Sequence, residues 1–509
     1  MARVLYRIYR TATRKHLPVL AAAALLAGCA AGPDFVRPQV PQHEYTKAPL
    51  PASTKKAGAP AAGNAQAFRA GAPVPQRWWA EFDSAALSRK VELALMANPD
   101  IRTAEANLRE AAELLKASEG AFFPAVDANI GVSRGKGTTG AATGPRPVFN
   151  LYNASVAVAY TPDVFGGVRR GVEAQAALRD IQYYQLQAAR LAIAGNVVTA
   201  AIQEASLREQ IAATQDIVAV QRHEMDVMRK NYELGGAAKT AVLAQQTALA
   251  QSEALLPPLQ KQLERTRNLM RALQGRFPDE EDGPDFKLAE IRLPAELPVT
   301  LPSQLVEQRP DIRAAEANLH VAAADVGIAA ANMLPQITLG GQAGYSAGRF
   351  GDLFTPSGLL WSLSAGVLQP VFHGWSLFHQ HRAAEAAWDA AAAQYSGTVL
   401  TAFHDVSDTL NALSRDADAL AAQTAAESAA RQNLDLVQKQ YDMGAIDYLT
   451  LLDAQRSVQQ TRIDLIQAEA TRLADTAALY VALGGGWYGA VEEARQEQAQ
   501  AAEKPAGNE

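Results

Sequence analysis

One plan is written twice in this chain. Residues 98–108 read NPDIRTAEANL and residues 309–319 read RPDIRAAEANL, identical at nine of eleven positions. The register continues without a gap, since Pro124 and Pro335 keep the same spacing of 211 residues. Farther on, Pro162 and Gly167 answer Pro370 and Gly374, and Tyr232-x-x-Gly235 answers Tyr441-x-x-Gly444. A duplication this long means two copies of one supersecondary unit. What one copy builds, and what it leaves unfinished, therefore constrains the whole fold.

Each copy changes period in the same order. Asn98 caps a helix that starts at Pro99 and ends before Pro124. Val126, Ala128, Ile130 and Val132 then alternate with Asp127, Asn129 and Gly131, which is the pattern of a two-faced strand. A loop near 135–148 leads to a second alternation at Tyr152, Ala154, Val156, Val158 and Tyr160. The second copy repeats this with Ile337, Leu339, Ala343 and Tyr345, a loop near 346–358, and Leu359, Trp361, Leu363, Ala365 and Val367. The hairpins are thus expected near 125–161 and 336–369. Each strand has the length that crosses a bilayer at a tilt.

A very long helical stretch follows each hairpin. Gly167 to about Glu233 carries no proline, and Ser376 to about Asp442 is similar. At about 1.5 Å per residue either helix reaches about 100 Å, which demands a bundle or coiled-coil partner. Gly235-Gly236 and Gly444 turn the chain, and return helices start near Lys239 and Tyr448. Pro257-Pro258 breaks the first return helix, and Gly484-Gly485-Gly486 ends the second. One copy reads as helix, β-hairpin, long helix, tight turn and return helix. Two copies supply only four strands. Open strand edges are not tolerated in lipid, so three chains with twelve strands are expected to close a barrel.

The N-terminus carries Arg3, Arg7, Arg10, Arg14 and Lys15, then an apolar run from Leu17 to Ala27, then Leu26-Ala27-Gly28-Cys29. This is a secretory signal, too short to remain as a membrane span. The only cysteine sits where a bacterial lipobox needs its thiol, so Cys29 is the candidate lipidation site. Loss of residues 1–28 removes five basic and no acidic residues, which takes the formal charge from −6 to −11. A negative chain without a basic, aromatic-interleaved patch is not expected to bind nucleic acid. The organisation read here is a signal peptide (1–28), a lipidated tether (29–77), a first copy (78–290), a second copy (291–486) and a flexible tail (487–509).

The order of these pieces resembles outer-membrane efflux proteins of the TolC/OprM type, in their NodT-like lipoprotein subgroup. The resemblance rests on Cys29 with Gly32-Pro33-Asp34 and Arg37-Pro38, Trp78-Trp79, both PDIRxAEANL segments, Tyr441-x-x-Gly444, Tyr448-Leu-Thr-Leu-Leu-Asp-Ala-Gln-Arg456 and Ala482-Leu-Gly-Gly-Gly-Trp487. It implies a mixed α and β membrane protein. The expected assembly is a homotrimer with a twelve-stranded outer-membrane barrel, continuous with a periplasmic twelve-helix tunnel. It also implies a passive duct that docks with a periplasmic adaptor and an inner-membrane pump of the RND class. The competing expectation is a lipid-anchored periplasmic adaptor with a coiled-coil hairpin.

Leu449, Asp453 and Arg456 follow helical spacing and share one face. The resemblance puts them at the closed periplasmic mouth: Asp453 as a ring of charge, Leu449 as an apolar constriction and Arg456 as a partner for a carboxylate. The first copy has Ala244 where the second has Asp453. Pro99, Asp100 and Arg102, like Pro310, Asp311 and Arg313, read as helix starts, with the acid favoured by the helix dipole. His373, His379 and His381 cluster after the last strand, but His379 and His381 point apart on a helix, and no metal site is expected. No nucleophile elbow, phosphate loop or metalloprotease helix is present, so neither an enzyme nor a cofactor is expected.

Overall fold

The computed structural model describes residues 30–39, 43–59, 62–136, 148–281 and 286–488. Cys29 and the signal peptide, the loop residues 137–147 and the tail beyond Tyr488 lie outside the described residues. In chain order the elements are β1 (Ala67–Ala70), α1 (Ala85–Ala97), α2 (Pro99–Glu119), β2 (Ala125–Lys136), β3 (Val148–Tyr160), α3 (Gly167–Glu233), α4 (Lys239–Ala254), α5 (Leu256–Leu273), β4 (Glu296–Val299), α6 (Pro302–Gln308), α7 (Pro310–Ala331), β5 (Gln336–Ala347), β6 (Leu359–Leu368), α8 (Ser376–Asp442) and α9 (Tyr448–Ala482). Both hairpins and both 67-residue helices fall where period and proline spacing place them.

Two compact units emerge. The first combines residues up to Pro38 with Leu108–Gln182 and Ala315–Tyr395. Its centre is one antiparallel sheet in the order β2-β3-β5-β6. Directly opposed residues share a face, so Val126, Val158, Gly341 and Leu363 form one row. Asn129, Ser155, Gly344 and Leu360 form a row on the opposite face. The apolar face is bare: Ile130 is 86% exposed, Leu363 80% and Trp361 71%. In water so continuous an apolar face would be a liability; in lipid it is the expected wall. No described helix is long and apolar enough to cross a membrane.

The same unit holds the start of the described chain. Ala31 N–H donates to Phe165 C=O at 2.9 Å. Arg170 is buried and donates to Asp34 at 2.7 Å and to Glu173 at 2.8 Å. Phe35 stacks on His320 with centroids 4.3 Å apart, and Arg37 pairs with Glu316 at 3.1 Å. The segment that follows Cys29 is thus held at Ala31, Asp34, Phe35 and Arg37.

The second unit contains Gln39–Asn107, Tyr183–Ala314 and the chain from Ser396 onward. β1 and β4 pair in parallel, Ala67 opposite Glu296. Trp78 is fully buried and stacks on Tyr480 at 5.5 Å. Arg472 is also fully buried and donates to Ala62 C=O, Thr54 Oγ1 and Asn64 C=O at 2.7–2.9 Å. It fixes the extended stretch before β1 to α9. The two helix starts read from the sequence are joints. Asn98 Oδ1 accepts from Asp100 N–H, and Asn98 Nδ2 donates to Leu273 C=O at the end of α5, both at 2.8 Å. In the second copy Arg309 Nη1 donates to Ala482 C=O at the end of α9, at 3.0 Å. Arg309 is also held by Asp311 at 2.7 Å and Asp405 at 3.0 Å. α4 stops at Ala254 and α5 starts at Leu256, with Pro257 and Pro258 in its first turn, where a missing N–H costs least.

Candidate functional site at the paired helix turns

Both long helices end in the same left-handed cap. Gly235 has φ +81° and Gly444 has φ +72°, conformations that favour glycine. Gly236 N–H donates to Asn231 C=O and Ala445 N–H to Gln440 C=O, at 2.8 and 2.9 Å. These bonds satisfy carbonyls that each helix end leaves open. Asp447 then starts α9, its carboxylate accepting from Thr450 N–H at 2.9 Å.

The four helix ends share one apolar cluster. Met225 and Met228 of α3, Val242 of α4, Val437 of α8, and Tyr448, Leu451 and Ala454 of α9 are all buried together. This burial decides which face of α9 remains outside. Leu449, Asp453 and Arg456 are all exposed, on the side away from the cluster. The shared face read from their spacing is therefore real, and burial does not explain their residue types. Arg456 does not reach a carboxylate as expected. Its Nη2 donates to Gln251 Oε1 of α4 at 3.2 Å. The turns also present Leu234, 86% exposed, and Met443, 75% exposed.

A polar network beneath this surface escaped the sequence. Tyr448 Oη donates to Gln245 Oε1 at 2.5 Å and lies 3.4 Å from Glu224 Oε2. Gln455 Nε2 donates to Glu224 Oε1 at 2.5 Å, and the fully buried Gln245 donates to Gln221 C=O at 2.9 Å. Burial pushes the Glu224 carboxyl up from its ordinary range, against the pull of the donors from Gln455, Tyr448 and Gln245. Burial likewise raises the Tyr448 phenol, so Tyr448 remains a donor at any physiological pH. The three contacts from Tyr448, Gln455 and Arg456 all run from α9 to helices of the first copy. A glutamate within the last turns of a 67-residue helix has no local signal to set it apart from other charges on the helix, which is why sequence alone passed over Glu224.

Of the histidines, His379 lies edge-on to Phe378 and His381 faces Glu385 at 3.7 Å. Among the described residues no three His, Cys, Asp or Glu side chains are grouped to hold a metal.

Bilayer-length antiparallel strands, together with helices of 67 residues that pair through capped turns, define an outer-membrane channel architecture. The chain belongs to the outer membrane efflux protein family, whose sequence model matches residues 91–276 and again residues 301–485. It is 28% identical over 437 residues to the pyoverdine export outer membrane protein OpmQ of Pseudomonas putida KT2440, covering 84% of this chain and 92% of that one. It is 27% identical over 475 residues to a Salmonella typhimurium protein named "Probable outer membrane lipoprotein SilC", covering 91% and 97%. Among solved structures the outer-membrane channel OprN superposes with a TM-score of 0.80 at 28% identity, over 90% of this chain and all of that one. The open state of the Neisseria gonorrhoeae MtrE channel gives a TM-score of 0.76 at 25% identity, over 90% and 98%.

Proposed function

We propose that this protein is the outer-membrane exit duct of a tripartite efflux pump. It passively conducts small molecules delivered by an inner-membrane pump of the RND class through a periplasmic adaptor. The observation that carries this reading is the family match over both copies, each of which contributes one bilayer-length hairpin and one long helix pair. Three copies close twelve strands into a barrel, because a four-stranded sheet with two open edges is not stable in lipid. Cys29 carries the lipid that anchors the chain to the outer membrane. The adaptor alternative falls away, since both halves match efflux proteins of the outer membrane.

The turns form the periplasmic mouth in this reading. Leu449, Asp453 and Arg456 face the threefold axis, where three carboxylates repel and Leu449 narrows the passage. Their exposure in the single chain supports this, as does the tie from Arg456 to Gln251. Exposed Leu234 and Met443 offer the adaptor an apolar tip. The test is electrical. A detergent-extracted trimer should show low single-channel conductance in planar bilayers, and Asp453→Ala with Arg456→Ala should raise it. A properly assembled double variant with unchanged conductance removes these residues from the gate.

A further inference from the structure

The two junctions that lead from a strand into a long helix match in their backbone. Gly167 opens α3 and Ser376 opens α8, 209 residues later, and the two helices are equal in length. Gly166 C=O accepts from Arg170 N–H at 2.9 Å, as Trp375 C=O accepts from His379 N–H at 3.0 Å. Gly166 and Trp375 are both left-handed, at φ +81° and +64°. The side chains at matching positions differ in kind. In the first copy the Asp163 carboxylate accepts from Val168 and Arg169 N–H, both at 2.9 Å, and pairs with the Arg169 guanidinium at 3.1 Å. Gly166 stands against the start of the described chain. A Cβ there would lie 2.7 Å from Ala30 Cα, and Ala30 adjoins Cys29 in the sequence. In the second copy the positions of Asp163, Gly166 and Arg169 hold Phe372, Trp375 and Phe378.

This exchange gives up stability inside the chain. Phe372 cannot cap a helix as Asp163 does. A tryptophan in the left-handed region is strained where a glycine is not. Burial within the chain does not offset the loss, since Phe372 is 73% exposed, Trp375 66% and Phe378 42%. The three rings instead form a row of edge contacts, with centroids 6.3 and 6.2 Å apart. In water an open aromatic row is a liability. At a membrane–water boundary it is favoured, because an indole meets lipid with its ring and water with its N–H. The row begins just past the end of β6, whose Leu363 and Val367 belong to the apolar wall. Resting on the outer-membrane duct reading above, we propose that Phe372, Trp375 and Phe378 are a second membrane anchor, seated in the periplasmic leaflet of the outer membrane. It occupies the junction equivalent to the one that holds the lipidated end of the chain. The first copy is anchored there through the residue beside Ala30, and the second through its own rings.

Quenching by brominated lipid tests the anchor. The full-length protein is reconstituted in phosphatidylcholine vesicles brominated either near the headgroup or near the chain end, and tryptophan emission is compared with that in unbrominated lipid. Two variants remove the indole: Trp375→Phe keeps a ring, and Trp375→Gly takes the residue of the first copy and relieves the backbone. Trp361→Phe is the control, since Trp361 lies on the apolar face of the sheet. The part of the emission quenched by shallow bromines should shrink in both Trp375 variants, and deep bromines should quench that part less. Trp361→Phe should also reduce the quenching. If the shallow part is unchanged in both Trp375 variants while Trp361→Phe reduces it, the rings do not meet lipid; the anchor is overturned and the duct stands. Failure of both Trp375 variants to assemble would make the rings part of the fold, which also overturns the anchor. If neither Trp361 nor Trp375 is quenched, the sheet is not in lipid, and the duct reading falls with the anchor.

Discussion

Tyr448→Phe tests whether the polar network under the turns holds the two copies together. The ring stays, so its packing with Met225, Met228 and Leu451, and its contact with Tyr441 at 5.6 Å, are retained. Only the hydroxyl is lost. It donates at 2.5 Å to Gln245 Oε1, a side chain that is fully buried, and water cannot easily replace it there. Stranding a buried acceptor costs about 1–3 kcal/mol. That cost falls on local opening at the turns, so hydrogen exchange there should accelerate by about 5- to 150-fold. The expected acceleration covers residues 224–228 and 441–452, with the joint at Asn98 and the sheet unchanged. The assay is exchange mass spectrometry on the detergent-solubilised protein. Unchanged exchange at the turns would mean that the apolar cluster alone holds them. Acceleration everywhere would mean that Tyr448 supports the whole fold, and the local argument would fail.

Three further outcomes are expected. Asp416 of α8 lies against Asp475 of α9, and burial followed by that neighbouring carboxyl pushes it up to about 7 while Arg472 opposes. A raised carboxyl contributes stability that is complete below the unfolded pKa and lost as pH rises through about 7, so thermal midpoints should fall across that range and Asp416→Asn should flatten the fall. Asn98→Ala removes a helix cap and the tie to Leu273 C=O, which together should cost about 1–3 kcal/mol in urea unfolding; a smaller loss would show that the joint rests on packing. Cys29→Ser should leave the protein without an N-terminal lipid by intact mass, and a lipid-free native protein would refute the lipobox reading.

The parts legible in the sequence are those where a local rule acts alone. Period two at Val126–Val132 and Leu359–Val367 marked the strands, because opposite faces meet different surroundings. The absence of proline marked α3 and α8, and Asn98 before Pro99 marked a cap. The turns were marked by glycine. What stayed hidden depends on residues far apart in the chain. β1 pairs with β4 across more than two hundred residues, and four-residue strands carry no periodic signal. Arg472 reads as one more charge on a helix, yet it is buried against Thr54, Ala62 and Asn64. The exposed trio on α9 was legible as a face, but the Gln251 contact of Arg456 was not, since it is set by how α9 packs on α4.

The two copies diverge in a way that separates support from movement. At the joints, Asn98 and Arg309 differ in size and charge, yet each donates to a carbonyl at the end of its own return helix, Leu273 or Ala482. Any donor of suitable reach meets that need, so the residue can change while the joint is kept. At the turns the need is different. Tyr448, Gln455 and Arg456 of the second copy contact Gln245, Glu224 and Gln251 of the first. At the positions of Tyr448, Gln455 and Arg456 the first copy has Lys239, Gln246 and Thr247, and it has Ala244 where the second has Asp453. These ties cross from one copy to the other, whereas the joint ties lie within each copy. A motion that parts the two helix pairs at the turns must break a few hydrogen bonds and the contacts of one small cluster. It can leave both joints intact. Parting of the helix pairs at the turns and rupture of the joints are therefore separable events.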